Sequence, residues 1–258
     1  MNKIGYSLLI VLLITMTTSC DKFTSKSDTK VKKSTREISI NAKGDTVITT
    51  LRKDGTLKST ITKKNGYRNG PSFLYYENGN IQFEINYTDG YKDSIVKYNY
   101  ENGKIYRTTL YNNGIKHGIQ TYYHTNGSIK AEVPYENNEV IPGTKEYTSS
   151  GKIISDYPKI KVVPIDKLGF ENKYELHISL KPKKKKVTYY ISKNVAGKDS
   201  KIMLEGNTKN GMAIQTYYLY PGHSLMEKVK VRAIIKSKRG IPIVLTKTYN
   251  LAVDNRNY

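Results

Sequence analysis

The chain has 258 residues, enough for one large domain or two ordinary ones. Its 23 Tyr, 4 Phe and absent Trp, with many Ile, Val and Thr, favour strands over helices, because such residues suit a half-buried pleated surface. A single Cys excludes any disulfide within the chain, and the formal net charge of +21 directs attention to where the excess sits. Residues 1–60 carry +6, residues 61–156 carry +1 and residues 157–258 carry +14. A basic C-terminal part attracts polyanions, although Lys on an exported β-protein also keeps it soluble and blunts its strand edges.

Residues 1–19 read as an export leader. Lys3 supplies a positive start, and residues 8–14 form an uninterrupted apolar run, too short for a membrane span. Thr17, Thr18 and Ser19 then precede Cys20. This arrangement resembles the lipobox of bacterial lipoproteins, in which the Cys receives lipid and becomes the mature N-terminus. The usual aliphatic residue three positions before the Cys is Thr17 here. The resemblance implies lipidation of Cys20 and a membrane partner, in the cell envelope and at the outer membrane. Residues 20–36 lack apolar periodicity, are rich in Ser, Thr and Lys, and read as the lipidated Cys with a flexible tether.

Residues 37–156 repeat with a period of 24. Gly55, Gly79, Gly103, Gly127 and Gly151 form one series; Gly66, Gly90, Gly114 and then Asn138 form a second. Asn at 138 is informative, since Asn is the residue after Gly most able to adopt positive φ. Ile81, Ile105, Ile129 and Ile153 follow the first series by two residues, and Tyr87, Tyr111 and Tyr135 make a fourth series. Asn78-Gly79, Asn102-Gly103 and Asn126-Gly127 are dipeptides of two-residue hairpin turns, in which both residues need positive φ. After them, alternation such as Ile81, Phe83, Ile85, Tyr87 predicts a strand with one buried face. Neighbouring hairpins are expected to stack into one elongated antiparallel sheet, because a single hairpin is marginal in water.

The segments Asn65-Gly66-Tyr67-Arg68-Asn69-Gly70 with Tyr75-Tyr76-Glu77-Asn78-Gly79, and Asn113-Gly114-Ile115-Lys116-His117-Gly118 with Tyr122-Tyr123-His124-Thr125-Asn126-Gly127, resemble the variant of the membrane occupation and recognition nexus (MORN) repeat. The unit between has Ser94 where the later Gly belongs, and the next has Pro142-Gly143, one residue out of phase. The resemblance implies a non-catalytic interaction module. Some family members are antitoxins of the YwqK type; others in the wider group bind lipids or proteins.

From residue 157 to 258, apolar alternation recurs at 160–163, 176–180, 187–191, 202–204, 214–219, 229–235 and 243–253, with turn formers between. That spacing predicts a β-sandwich. The run 219–233 resembles the late strands of fibronectin type III and immunoglobulin-like domains, with Leu225 in place of the corner Tyr, and 187–191 is similar to the small sandwich appended to some bacterial hexosaminidases. Both resemblances imply an accessory module. Lys183, Lys184, Lys185 and Lys186 read as a loop between strands, either solvated or a patch for anionic lipid or glycan.

The expected fold is therefore all-β: hairpin repeats, then a basic β-sandwich. The four His show no metal-ligand spacing, no Gly loop opens a helix, and no Gly-x-Ser-x-Gly elbow occurs. No enzyme, metal or cofactor is expected, and nucleic acid is not expected as a partner. Tyr75, Tyr123 and Tyr147 share one repeat position and are candidates for binding a protein or envelope component, since Tyr supplies contact area with little entropy loss. They could equally pack across strands. An antitoxin or immunity role and a surface polyanion role are the alternative expectations.

Overall fold

The computed structural model describes residues 34–195, 198–204 and 209–256. The expected leader, Cys20 and residues 21–33 of the tether lie outside the described residues. One antiparallel sheet contains β1 (Arg36–Ile40), β2 (Thr46–Leu51), β3 (Leu57–Lys64), β4 (Tyr67–Tyr75), β5 (Ile81–Thr88), β6 (Tyr91–Lys92), β7 (Ser94–Asn99), β8 (Ile105–Asn112), β9 (Ile115–Lys116), β10 (Gly118–Tyr123), β11 (Ile129–Glu136), β12 (Glu139–Val140), β13 (Lys145–Tyr147) and β14 (Ile153–Ile154). Strands follow one another across the sheet in chain order, while β6, β9 and β12 fold back as short arms on β5, β8 and β11.

Two kinds of turn alternate along this sheet. Asn65-Gly66, Asp89-Gly90, Asn113-Gly114 and Asn137-Asn138 have positive φ at both residues, the geometry of a two-residue hairpin turn. The other series differs from the expectation. Gly55, Gly79, Gly103, Gly127 and Gly151 have positive φ, but Asn78, Asn102 and Asn126 precede them at ordinary φ. The Gly79 amide donates to the Tyr76 carbonyl, and the Tyr76 amide donates to the Asn80 carbonyl. The pairing slips there, with Leu74 opposite Phe83 but Tyr75 opposite Ile81. This is a longer turn closed by a glycine bulge. The Asn serves the turn through its side chain: Asn78 Oδ1 accepts from the Asn80 amide, and Asn126 Oδ1 from the Ser128 amide.

The later Gly of each motif marks a second irregularity. Tyr87 pairs with Lys92 and Phe83 with Tyr98, so four residues on one strand span six on the other. The two extra residues form a bulge between β6 and β7. Gly70, Ser94 and Gly118 occupy equivalent sites, with φ of 85°, 62° and 78°. Ser94 therefore holds a conformation that its two counterparts reach at no steric cost.

Successive units are stitched by side-chain rungs. Tyr76 Oη donates to the Asn99 carbonyl at 2.7 Å and Tyr100 Oη to the Tyr123 carbonyl at 2.9 Å. Arg52 donates to the Tyr75 carbonyl, and His124 Nε2 lies 3.1 Å from the Tyr147 carbonyl. Each rung spans 23 residues, so any aromatic or cationic donor at this position joins one unit to the next. A second ladder places Arg68 over the Tyr87 ring, Lys92 over Tyr111 and Lys116 over Tyr135, at 5.1–5.4 Å. Such contacts contribute about 0.5–1 kcal/mol each at exposed sites.

The inner face carries Ser72, Ile85, Val96, Thr109, Gln120 and Val133 in one row across the strands. Burial deepens towards the C-terminal end, where Ala131 and Val133 are fully buried. Thr109 Oγ1 donates to Gln120 Oε1 at 3.0 Å, and Gln120 Nε2 donates to Tyr122 Oη at 2.6 Å, so these three buried side chains satisfy one another.

The C-terminal strands are β15 (Lys159–Lys167), β16 (Lys173–Lys181), β17 (Thr188–Val195), β18 (Lys198–Met203), β19 (Ala213–Tyr218), β20 (Ser224–Lys236) and β21 (Pro242–Asp254), with a four-residue helix α1 (Leu168–Glu171) between β15 and β16. They form two antiparallel sheets, ordered β15-β16-β19 and β18-β17-β20-β21. Leu176 and Ile178 from one sheet meet Tyr189, Ile191, Val229 and Val231 from the other in a common core with no solvent exposure. Each such side chain contributes about 1.5–3 kcal/mol on burial. Every predicted apolar segment of this region lies on one of the seven strands or the residue flanking it.

The β20–β21 turn reaches the repeat sheet. Ile241 is buried against Tyr122, Ala131 and Val133. Glu146 of β13, 1 % exposed, accepts from Ser237 Oγ at 2.8 Å and from Tyr157 Oη at 3.1 Å. Thr144 Oγ1 donates to the Pro242 carbonyl. The sandwich thus covers the last repeat, supplying the cap that a stacked array needs at its end.

Candidate functional site

The outer face of the repeat sheet presents the residues most suited to contact. Side chains alternate across a strand, so the neighbours of inner residues point outward. Ile95, next to Val96, pairs with Leu110, and Ile119, next to Gln120, pairs with Pro134. Ile95, Leu110 and Ile119 are 49 %, 38 % and 49 % exposed, enough to offer an apolar surface. Leu110 packs over Gly118, where an added Cβ would come within 3.1 Å of Leu110 Cδ2. The bulge glycine therefore lets an apolar side chain lie flat on the sheet.

Beside this row runs a polar band. Phe73 pairs with Glu84, Glu84 with Lys97, Lys97 with Thr108, and Thr121 with Glu132. Lys97 Nζ and Glu84 Oε2 form an ion pair at 3.1 Å. Exposed pairs of this kind contribute little to stability, so their consequence is chemical: they edge the apolar row with charge.

Tyr75, Tyr123 and Tyr147 lie beyond that band. They are half-buried, and each pairs across the sheet with an Ile of the third series: Tyr75 with Ile81, Tyr123 with Ile129, Tyr147 with Ile153. Their carbonyls accept the rungs described above. Tyr147 Oη donates to Glu132 Oε2 at 2.7 Å, and this bond raises its pKa. Phe73 and Tyr75 rings lie 6.3 Å apart. The three tyrosines sit on separate strands, with Asn99 in the equivalent place between the first two. They are cross-strand packing residues that also show one edge to solvent.

The lysine run occupies the turn between β16 and β17. Lys183, Lys185 and Lys186 are exposed, whereas Lys184 is half-buried and its Nζ donates to the Lys236 carbonyl at 3.3 Å. The turn glycines and Asn138 lie at the hairpin ends, not on either face. Cys20 is outside the described residues. Among the described residues, no three His, Cys, Asp or Glu side chains gather as a metal site would require. His177 is engaged with Glu175 at 2.9 Å, and that hydrogen bond holds the Glu175 carboxyl below its usual range.

The sequence reading passed over the Ile95–Leu110–Ile119 row and the Arg68, Lys92, Lys116 series. The cations were legible as a constant interval of 24. The apolar row was obscured because Asn86 and Pro134 replace Leu at the positions equivalent to Leu110. Comparison with known proteins fits this architecture. No curated protein and no solved structure matches the chain. Residues 68–89, 92–113 and 116–137, each holding one cation–Tyr pair, match the family model of the MORN repeat variant in three consecutive units.

Proposed function

We propose that the protein is a non-catalytic binding scaffold, held at the bacterial cell envelope by lipid on Cys20 and facing a protein partner with the outer side of its repeat sheet. The observation that carries this reading is the exposed row of Ile95, Leu110 and Ile119, set on a sheet whose turns, bulges and rungs recur at a fixed interval. Exposed apolar patches rimmed by polar residues mark interaction sites on soluble surfaces. The strand order β15-β16-β19 facing β18-β17-β20-β21 supports reading the sandwich as a fibronectin type III-like accessory module. The apolar run and small residues before Cys20 support outer-membrane anchoring.

Photocrosslinking from position 119 in intact cells tests the partner. The wild-type background should yield a defined protein adduct, and Ile95→Lys with Leu110→Glu, an opposite-charge pair across the strands, should lose it with little change in the thermal midpoint. An adduct that survives both changes places the contact elsewhere. Labelled palmitate should enter the native chain and not Cys20→Ser; equal incorporation removes the anchor from the proposal.

A further inference from the structure

Three segments meet at the junction of the last repeat and the sandwich: the turn after β16, the β20–β21 turn, and residues 154–158. They enclose a cavity of about 240 Å³ that adjoins an open cleft, with Lys184 and Ile235 lining both. Six cations line these two spaces: Lys184, Lys185, Lys186, Lys236, Lys238 and Arg239. Two of them are held in place. Lys184 Nζ donates to the Lys236 carbonyl, and Arg239 Nη1 donates to the Tyr147 carbonyl at 2.8 Å. No ion pair among the described residues neutralises any of the six. Two carboxylates share the lining, exposed Asp156 and buried Glu146, the latter held by the Ser237 and Tyr157 hydroxyls, so cations outnumber carboxylates six to two.

We propose that this junction cleft binds an acidic polysaccharide, a chain of sugar rings carrying carboxylates. The reading is independent of the protein-binding face described above. Lysine ammoniums are point charges on flexible stems, which suits carboxylates spaced along a chain better than a single planar fork. Between the cations the floor is apolar, formed by Pro182, Ile235 and Pro242, a surface for the C–H faces of sugar rings. The cleft is concave, so a flat bilayer reaches its rim and not its floor. Single-stranded nucleic acid binds through aromatic platforms as well as charge, and the lining holds one aromatic ring, Tyr157, where a run of stacked bases would use several.

The test uses the full chain in detergent and a fluorescent oligogalacturonate, followed by anisotropy. The native protein should bind, and affinity should fall by about tenfold or more between 50 and 200 mM salt as counterions compete. The triple change Lys185→Glu, Lys186→Glu, Lys238→Glu alters exposed side chains only and should weaken binding by roughly tenfold, through loss of charge at the site. Lys43→Glu, Lys53→Glu, Lys58→Glu makes the same change in net charge on exposed positions at the first two hairpins, separated from β13 by β4, β5, β7, β8, β10 and β11, and should leave binding within about twofold, as screening over that distance requires. Equal losses in the two triples, no binding at low salt, or equal binding of neutral dextran overturn the site. Tighter binding of single-stranded DNA of matched length, or of anionic vesicles, overturns the ligand class.

Discussion

Ser94 shows how a single residue reports on the backbone beneath it. Its φ of 62° is the left-handed conformation that Gly70 and Gly118 hold at the equivalent bulges. An L-residue there pays about 1–2 kcal/mol, against a loss of about 0.5–1 kcal/mol when Gly is ordered. Ser94→Gly should therefore raise the thermal midpoint by a few degrees, and Ser94→Val should lower it; a Gly variant no more stable than the native chain removes the strain argument. Gly211 is the opposite case. A Cβ there would stand 1.7 Å from the Lys184 carbonyl oxygen, a backbone atom, so Gly211→Ala forces the turn after β16 to move. Tyr189 donates to the Gly211 carbonyl from the core, and burial pushes its pKa up to about 12, as it does for Tyr111 on the repeat sheet. A raised folded pKa on an acid keeps the proton in the native state, so stability is intact below about pH 10 and declines from there towards pH 12. Denaturant midpoints measured across that range should fall, and Tyr189→Phe should flatten part of the slope.

At the scale of the element, the repeat is a device for returning every 24 residues to the same pairing. The two-residue turn, the bulge after it and the glycine-closed turn at the other end fix where each strand begins. The rungs then join residues 23 apart, so removing one whole period drops one rung and leaves the others in register. Deleting residues 92–115 brings the Tyr123 carbonyl to the place of the Asn99 carbonyl beneath Tyr76, and Lys116 to the place of Lys92. That variant should keep its strand signal in circular dichroism and a cooperative melt. Deleting residues 92–103 removes half a period, swaps the two turn types and should leave a chain that aggregates or melts without a transition. If both deletions fold alike, register is not set by these features. The same periodicity explains what was legible in the sequence. Strand positions, the hairpin stacking and all seven sandwich strands follow from alternation and turn residues. The two turn geometries were not separable, because Asn-Gly serves both: at Asn113-Gly114 each residue has positive φ, whereas at Asn78-Gly79 only the Gly does. The contact row was hidden for a related reason. Ile95 and Ile119 recur at the right interval, but which face they occupy depends on the two-residue bulge just before them.

Across the molecule, the sheet and the sandwich differ in how they hide apolar surface. The sandwich has two layers and a closed core. The repeat sheet has one layer, and its inner face is best buried where Ile241 and Glu146 meet the β20–β21 turn. Glu146 is a buried carboxylate held by two hydroxyls, and burial followed by this contact drives the Tyr157 pKa well above the usual tyrosine range. Removing a charged acceptor from such a site leaves two donors without partners, at a cost of about 1–3 kcal/mol. Truncating Ile241 opens a cavity over Ala131 and Val133, at about 2–5 kcal/mol. Both losses fall on the boundary, so they should lower the coupling between the two parts more than the stability of the sandwich core. Calorimetry of the native chain should show the repeat sheet melting together with the sandwich. In Ile241→Ala combined with Glu146→Ala, the repeat-sheet transition should move to lower temperature and separate, while the Tyr189 core keeps its midpoint. A repeat-sheet transition that keeps its native temperature in the double variant would mean that the repeat sheet does not depend on this cap, and that its inner face is held by the cation–Tyr ladder and the rungs alone.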